Sequence, residues 1–197
     1  MKWLRRLYDW VLHWAETPYG PAALFLLAFA ESSFFPIPPD PLLIAMCLGK
    51  IKKSWRFAFI TSIASVLGGM LGYGIGLGLW ESVDTFFFKY IPGFSPEAFQ
   101  NVLAHYQASG FWYVFMAGFT PIPYKIFTIA SGVFQLNFFL FVLASSISRS
   151  LRFFAIAGLF RKFGPGIKEF IDKYFNILAI LFFVLLVGGF LAIRHIF

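Results

Sequence analysis

The sequence predicts an all-α integral membrane protein. Its plan is an inverted repeat of a re-entrant helical hairpin plus a transmembrane helix, with an extra C-terminal transmembrane helix and interfacial amphipathic helices. Three observations predict this. The 197 residues are 59% hydrophobic, 22% aromatic and only 13% charged, against about 45–50% apolar and about 25% charged in an ordinary soluble domain. Two stretches are long and apolar enough to cross a bilayer without a charge. Two further apolar stretches are cut in half by prolines, and they resemble each other.

Composition excludes much. Nine acids and sixteen bases cannot cover a soluble exterior of this size, and 29 phenylalanines suit a surface that faces lipid. The same apolar composition excludes a disordered chain, and a disulfide scaffold is excluded because Cys47 is alone. The whole chain, 1–197, reads as one membrane domain.

Residues 1–17 form the first element. Trp3, Leu4, Leu7, Trp10, Val11 and Trp14 share one helical face, and Lys2, Arg5, Arg6, Asp9, His13 and Glu16 fill the rest. That is an interfacial amphipathic helix. It is charged and no A-x-A site follows the first apolar run, so it is not read as a signal peptide.

Repeat 1 covers 20–80. Residues 20–30 are apolar, then come Glu31, the prolines Pro36, Pro38, Pro39 and Pro41, and the apolar run 42–49. Each half has about ten residues, enough for about half the hydrocarbon core. Proline lacks a donor and breaks a helix, so 20–49 reads as a re-entrant hairpin. The alternative is one kinked spanning helix. Residues 57–80 then form a transmembrane helix. Residues 81–109 are an outer-face connector, in which Ser95-Pro96-Glu97 starts an amphipathic helix that Gly110 closes.

Repeat 2 covers 110–160. The hairpin 110–135 turns at Pro121 and Pro123, with Lys125 just beyond, and the helix 138–160 carries Arg149 and Arg152. Gly49 precedes Ser62 and Ser65 by 13 and 16 residues, and Gly132 precedes Ser145 and Ser148 by the same intervals. One crossing lies between the hairpins, so the second enters from the opposite face, an arrangement found in transporters. Irregular backbone at membrane depth must be buried in protein or line a polar cavity, so the two proline turns are expected to meet. Residues 174–194 form the last transmembrane helix.

Charge placement supports this topology. With the N-terminus in the cytoplasm, eleven Lys and Arg residues lie inside, Lys89 and Arg194 lie outside, and Lys125, Arg149 and Arg152 lie at membrane depth. The net charge of +7 is then a topology signal, and nucleic acid is not needed to explain it. Trp55, Trp80 and Trp112 fall at expected membrane boundaries.

Charges at membrane depth cost about 2.5–3.5 kcal/mol each on insertion scales. Five are therefore candidate functional residues: Glu31, Asp40, Lys125, Arg149 and Arg152. Arg149 and Arg152 share a helix face. One reading is an internal ion-pair cluster that holds the repeats together. The other is a site for a phosphate-bearing headgroup or small anion, since Arg binds phosphate through its bidentate fork, with a carboxylate exchanging protons. Asp40 could instead cap backbone amides in its turn. The glycines Gly68, Gly72 and Gly76 are spaced as G-x-x-x-G, for close packing inside the molecule or between copies. His13, His105 and His195 show no metal spacing, and neither a metal nor a cofactor is expected. No hydrolase or phosphate-loop motif occurs, so no enzymatic activity is expected.

At this point the residues resemble a known family. Glu31 with Phe35-Pro36-Ile37-Pro38-Pro39-Asp40 is similar to the first signature of the DedA family, the VTT or SNARE-associated membrane proteins. Gly118-Phe119-Thr120-Pro121-Ile122-Pro123-Tyr124-Lys125 with Ala130-Ser131-Gly132 is similar to the second, and the segment 145–153 looks like the YqaA-like branch. The resemblance implies opposed re-entrant hairpins, a bacterial inner-membrane location and lipid translocation. The lipids implied are undecaprenyl phosphate or phosphatidylethanolamine, with proton coupling. Glu31 and Asp40 take the places of the family's membrane acids. The second signature usually has two arginines; here Gly118 stands near the first and Lys125 near the second. Arg149 and Arg152 would supply the missing charge. The expected function is movement of a phosphate-bearing lipid between leaflets. The alternatives are a proton-coupled transporter of a small ion or anion, and a non-transporting assembly factor. Expected partners are membrane lipids and protons; an oligomer is open.

Overall fold

The computed structural model describes residues 17–90, 96–120, 122–164 and 166, and these are helical throughout apart from turns and a few extended residues. Six α-helices follow in order: α1 (Gly20–Ser33), α2 (Asp40–Gly49), α3 (Ser54–Tyr90), α4 (Pro96–Phe119), α5 (Tyr124–Val133) and α6 (Phe138–Phe163). A 3-10 turn, Ile51–Lys53, joins α2 to α3. The expected N-terminal amphipathic helix and the C-terminal transmembrane helix 174–194 lie outside the described residues.

Proline explains the breaks. Pro21 and Pro41 sit in the first turns of α1 and α2, where a missing N–H costs nothing. Between them Pro36, Pro38 and Pro39 can donate no helical hydrogen bond, so α1 ends at Ser33 and α2 restarts at Asp40. Pro123 precedes α5 in an extended conformation; Pro121 lies outside the described residues. After α5, Gln135 takes a left-handed φ of 49°. The Asn137 side chain then caps α6 by accepting from the amides of Phe139 and Leu140 at 3.0 and 3.1 Å. Gly164 closes α6 with φ 51°.

Two expectations need correction. The long helix of the first repeat does not stop at Trp80 but runs on to Tyr90, because no glycine or proline occurs between 81 and 90. The expected surface helix and the first limb of the second hairpin are one continuous helix, α4, which passes straight through Gly110. Gly110 is a packing point rather than a terminator, since a Cβ there would run into the Leu136 side chain.

Each repeat thus shows the same order: a helix, a proline break, a ten-residue helix and a long helix. Within the repeats α1 packs on α3 and α4 on α6. Between them the short helices cross over, α2 chiefly onto α6 and α5 onto α3, and the two long helices pack on each other. One apolar cluster joins Leu24, Leu42, Leu43, Met46 and Cys47 to Phe57, Ala58, Phe153, Ala157 and Phe160. The other joins Tyr73, Tyr106, Val114, Ala117, Tyr124 and Leu136 to Phe141 and Ala144. Along α3 the first cluster comes first; along α6 it comes last. The long helices therefore run antiparallel, and residues 61–65 and 145–149 form a layer between the clusters.

Close packing needs the glycines. A Cβ on Gly68 would collide with the Phe29 backbone, one on Gly76 with the Ile129 backbone, and one on Gly132 with the Tyr73 backbone. The G-x-x-x-G run of α3 is thus used inside the molecule. The outer surface is apolar: Phe59, Ile63, Leu67 and Leu71 line α3, and Leu140, Leu143, Ile147 and Leu151 line α6. Along α3 and α6 the buried faces carry Ser62, Ser65, Ser145 and Ser148 while leucines such as Leu67, Leu71, Leu143 and Leu151 face outward, the reverse of a soluble bundle. The stretch Ile51–Trp80 and α6 are each long and apolar enough to cross a membrane.

Candidate functional site

The layer between the clusters is polar, and the two proline breaks meet there. Glu31 lies near the C-terminus of α1. Its Oε2 accepts from Arg149 Nη2 at 2.9 Å and from the Ser32 hydroxyl at 3.1 Å. Arg149 Nε also donates to Ser65 Oγ at 2.6 Å, and Ser65 shares a 2.7 Å hydrogen bond with Ser32. The guanidinium lies 4.7 Å from the ring centroids of both Tyr124 and Phe153. A bare cation in such a place would pay a large desolvation penalty. Here Arg149, only 3% exposed, has a carboxylate, a hydroxyl and two ring faces around it.

The second pair lies nearer the surface. Asp40 stands in the first turn of α2, where a negative charge also suits the helix dipole. Arg152 binds it in bidentate fashion, with Nη2 at 3.1 Å from Oδ1 and from Oδ2. Arg152 Nη1 donates to the carbonyl of Thr120, at the second break, at 2.7 Å. Lys125 donates from Nζ to the carbonyl of Phe35, at the first break, at 3.1 Å. Thr128 Oγ1 donates to the Ser32 carbonyl at 3.1 Å. Side-chain exposure is 4% and 13% for Arg149 and Glu31, but 19% and 20% for Arg152 and Asp40. One pair is an inner lock and the other an outer one.

All five charges expected from sequence are therefore at the two breaks. Four of them form two ion pairs, each joining the first repeat to α6, and Lys125 ties the second break to the first. Asp40 directs its carboxylate to Arg152, which answers the capping alternative for that residue. Three acceptors and donors escaped the sequence reading: Ser32, Tyr124 and Thr128. Tyr124 is fully buried and donates to Ser145 Oγ. The signal for them was a hydroxyl inside an apolar run beside a proline break. Formally the five groups sum to +1, with three bases against two acids. Arg149 and Arg152 lie one turn apart on α6, so an anion entering here would meet two guanidinium groups. Among the described residues no cluster of His, Cys, Asp or Glu could hold a metal ion.

The chain is similar to known proteins over most of its length. The family model of the VTT domain matches residues 37–162, a range that holds Pro38, Pro39, Asp40, Lys125, Arg149 and Arg152 and begins after Glu31 and Pro36. An uncharacterized protein of Haemophilus influenzae is 39% identical over 159 residues, covering 81% of each chain. An uncharacterized protein of Histophilus somni is 37% identical over 193 residues, 94% of this chain and 100% of that one. A further uncharacterized protein, from Methanocaldococcus jannaschii, is 27% identical over 68% of this chain and 79% of its own. No solved structure matches.

Proposed function

This chain belongs to the VTT-domain family, the DedA membrane proteins, and from that premise we propose that it carries a phosphate-bearing lipid between the leaflets of a bacterial inner membrane. Membership itself suggests a membrane-transport role. The observation that carries the finer reading is the pair of arginine–carboxylate bridges at the breaks.

In this reading the two broken segments, α1–α2 and α4–α5, re-enter the membrane from opposite faces. The first is supported by the cluster that holds Leu24 of α1 together with Leu42, Leu43, Met46 and Cys47 of α2, which puts both limbs at one end of the bundle. The headgroup enters between the breaks while the acyl chains stay in lipid. Its phosphate competes with Glu31 and Asp40 for the guanidinium groups of Arg149 and Arg152, which are suited to a bidentate anion. Each carboxylate is displaced as the phosphate arrives, and protonation of the freed acid lowers the cost of leaving it unpaired. Lys125 adds positive charge between the breaks. Undecaprenyl phosphate and phosphatidylethanolamine both present the required phosphate.

The test is lipid transfer in liposomes. Glu31→Gln and Arg149→Ala are expected to insert normally and to lose transfer, and unchanged rates in both would sink the proposal. Uptake of a small anion into the lumen, without lipid exchange, would favour the transporter of a soluble ion. Lost thermal stability with normal transfer would favour a purely structural cluster, as in an assembly factor.

A further inference from the structure

A second group of cations lies apart from the ion-pair layer. Lys50, Lys52, Lys53 and Arg56 flank the turn from α2 into α3, and Arg161 and Lys162 end α6. All six are exposed, and among the described residues neither ion pair involves them. The two segments are far apart in sequence but joined in space. Arg161 Nη1 donates to the Lys52 carbonyl at 3.1 Å, and its guanidinium lies 5.9 Å from the centroid of Trp55. Trp55 stacks on Phe154 at 5.6 Å, and Gly158 makes room for its ring, since a Cβ there would lie 3.0 Å from it.

Arg161 is therefore held at one nitrogen and along one aromatic ring. Its Nε and Nη2 have no protein acceptor among the described residues. A guanidinium fixed in this way loses little freedom when it binds a second, bidentate partner. The partner's chemistry follows from what surrounds it: several positive charges, and an apolar surface that starts within about a turn. Trp55, Phe59, Leu159 and Phe163 are all exposed beside the cations. An anion held here has a place for attached acyl chains, which a free phosphate would not use.

We infer that the basic end of the molecule is a docking site for the phosphate of an anionic phospholipid in the adjoining leaflet. Arg161 is the fixed donor, and Lys52, Lys53, Arg56 and Lys162 supply the surrounding charge. Arg161 stands nine residues beyond Arg152, about 13 Å along α6, so this site is distinct from the ion-pair layer. It rests on the chain lying in a membrane and not on what the chain transports. Cations that served only to orient the chain during insertion would show no headgroup preference.

The experiment is native mass spectrometry of the purified full-length protein in detergent, titrated with phosphatidylglycerol or phosphatidylcholine of the same acyl chains. Each cation near an anionic surface changes partitioning by about fivefold. Wild type is expected to retain phosphatidylglycerol at least about fivefold better than phosphatidylcholine. Arg161→Gln should lower phosphatidylglycerol retention by about fivefold and leave phosphatidylcholine unchanged. The double variant Lys52→Ala, Lys53→Ala, whose side chains are exposed, should lower it as well and serves if Arg161→Gln does not fold. Equal retention of the two lipids by wild type overturns the inference, as does wild-type retention in the folded variants. Complete displacement of phosphatidylglycerol by millimolar glycerol phosphate overturns it too, because the site would then be one for a free anion.

Discussion

Arg149 is buried because its environment is complete: Glu31 neutralises it, Ser65 takes a second donor, and Tyr124 and Phe153 cover its faces. Breaking such a pair costs about 3–5 kcal/mol, whereas replacing both partners by apolar groups is often neutral. Arg149→Met alone is therefore expected to lower stability by about that amount, by stranding Glu31. The double variant Glu31→Leu, Arg149→Met should recover most of the loss while lacking transfer. Thermal unfolding in detergent reads the first outcome and liposome transfer the second; a double variant no more stable than the single would deny the pair its structural role. The charges themselves were legible in the sequence, because a charge inside an apolar run is conspicuous. Their pairing was not, because it depends on α2 crossing onto α6. The hydroxyls were harder still. Thr61 and Ser62 return their protons to the carbonyls of Phe57 and Ala58 in their own helix, while Ser65, three residues on, accepts from Arg149 across the interface. Sequence presents all three alike.

The helix breaks were legible because proline acts locally: a missing N–H ends a helix whatever surrounds it. The extent of α4 was not, because glycine has two uses that only packing separates. It can end a helix, as Gly164 does at positive φ, or let another element come close, as Gly110 does against Leu136. This distinction can be tested on one helix. Gly74 and Gly76 are two residues apart in α3, yet nothing lies within 4 Å of a Cβ at 74, while one at 76 would enter the Ile129 backbone. Gly74→Ala is expected to gain up to about 1 kcal/mol from helix propensity. Gly76→Ala should lose about 1–3 kcal/mol as α5 is pushed off α3. Equal melting temperatures for the two variants would mean that α5 does not press on α3 as described.

At the scale of the molecule, two antiparallel long helices carry an apolar cluster at each end and a polar, charged layer between them. The sequence foresaw that the basic runs around residues 52 and 161 must share one side, because two crossings separate them. The contact of Arg161 with the Lys52 carbonyl brings them together. The same end receives the start of α1, through Leu24, and the finish of α2, through Met46 and Cys47. If the first broken segment re-enters, its two ends face one aqueous side; if it were a single kinked spanning helix, they would face opposite sides. Single-cysteine variants separate these cases once the buried native Cys47 is replaced by alanine. Tyr19→Cys lies just before α1, Lys50→Cys just after α2, and Lys162→Cys in the last turn of α6, and all three positions are exposed. In sealed membranes of known orientation, one impermeant maleimide is expected to label all three from the same side. Labelling of Tyr19→Cys from the side opposite to Lys50→Cys would make the first segment a spanning helix. The two breaks would then have to be read as kinks, and the ion pairs as struts between four crossings rather than as the floor of two opposed hairpins.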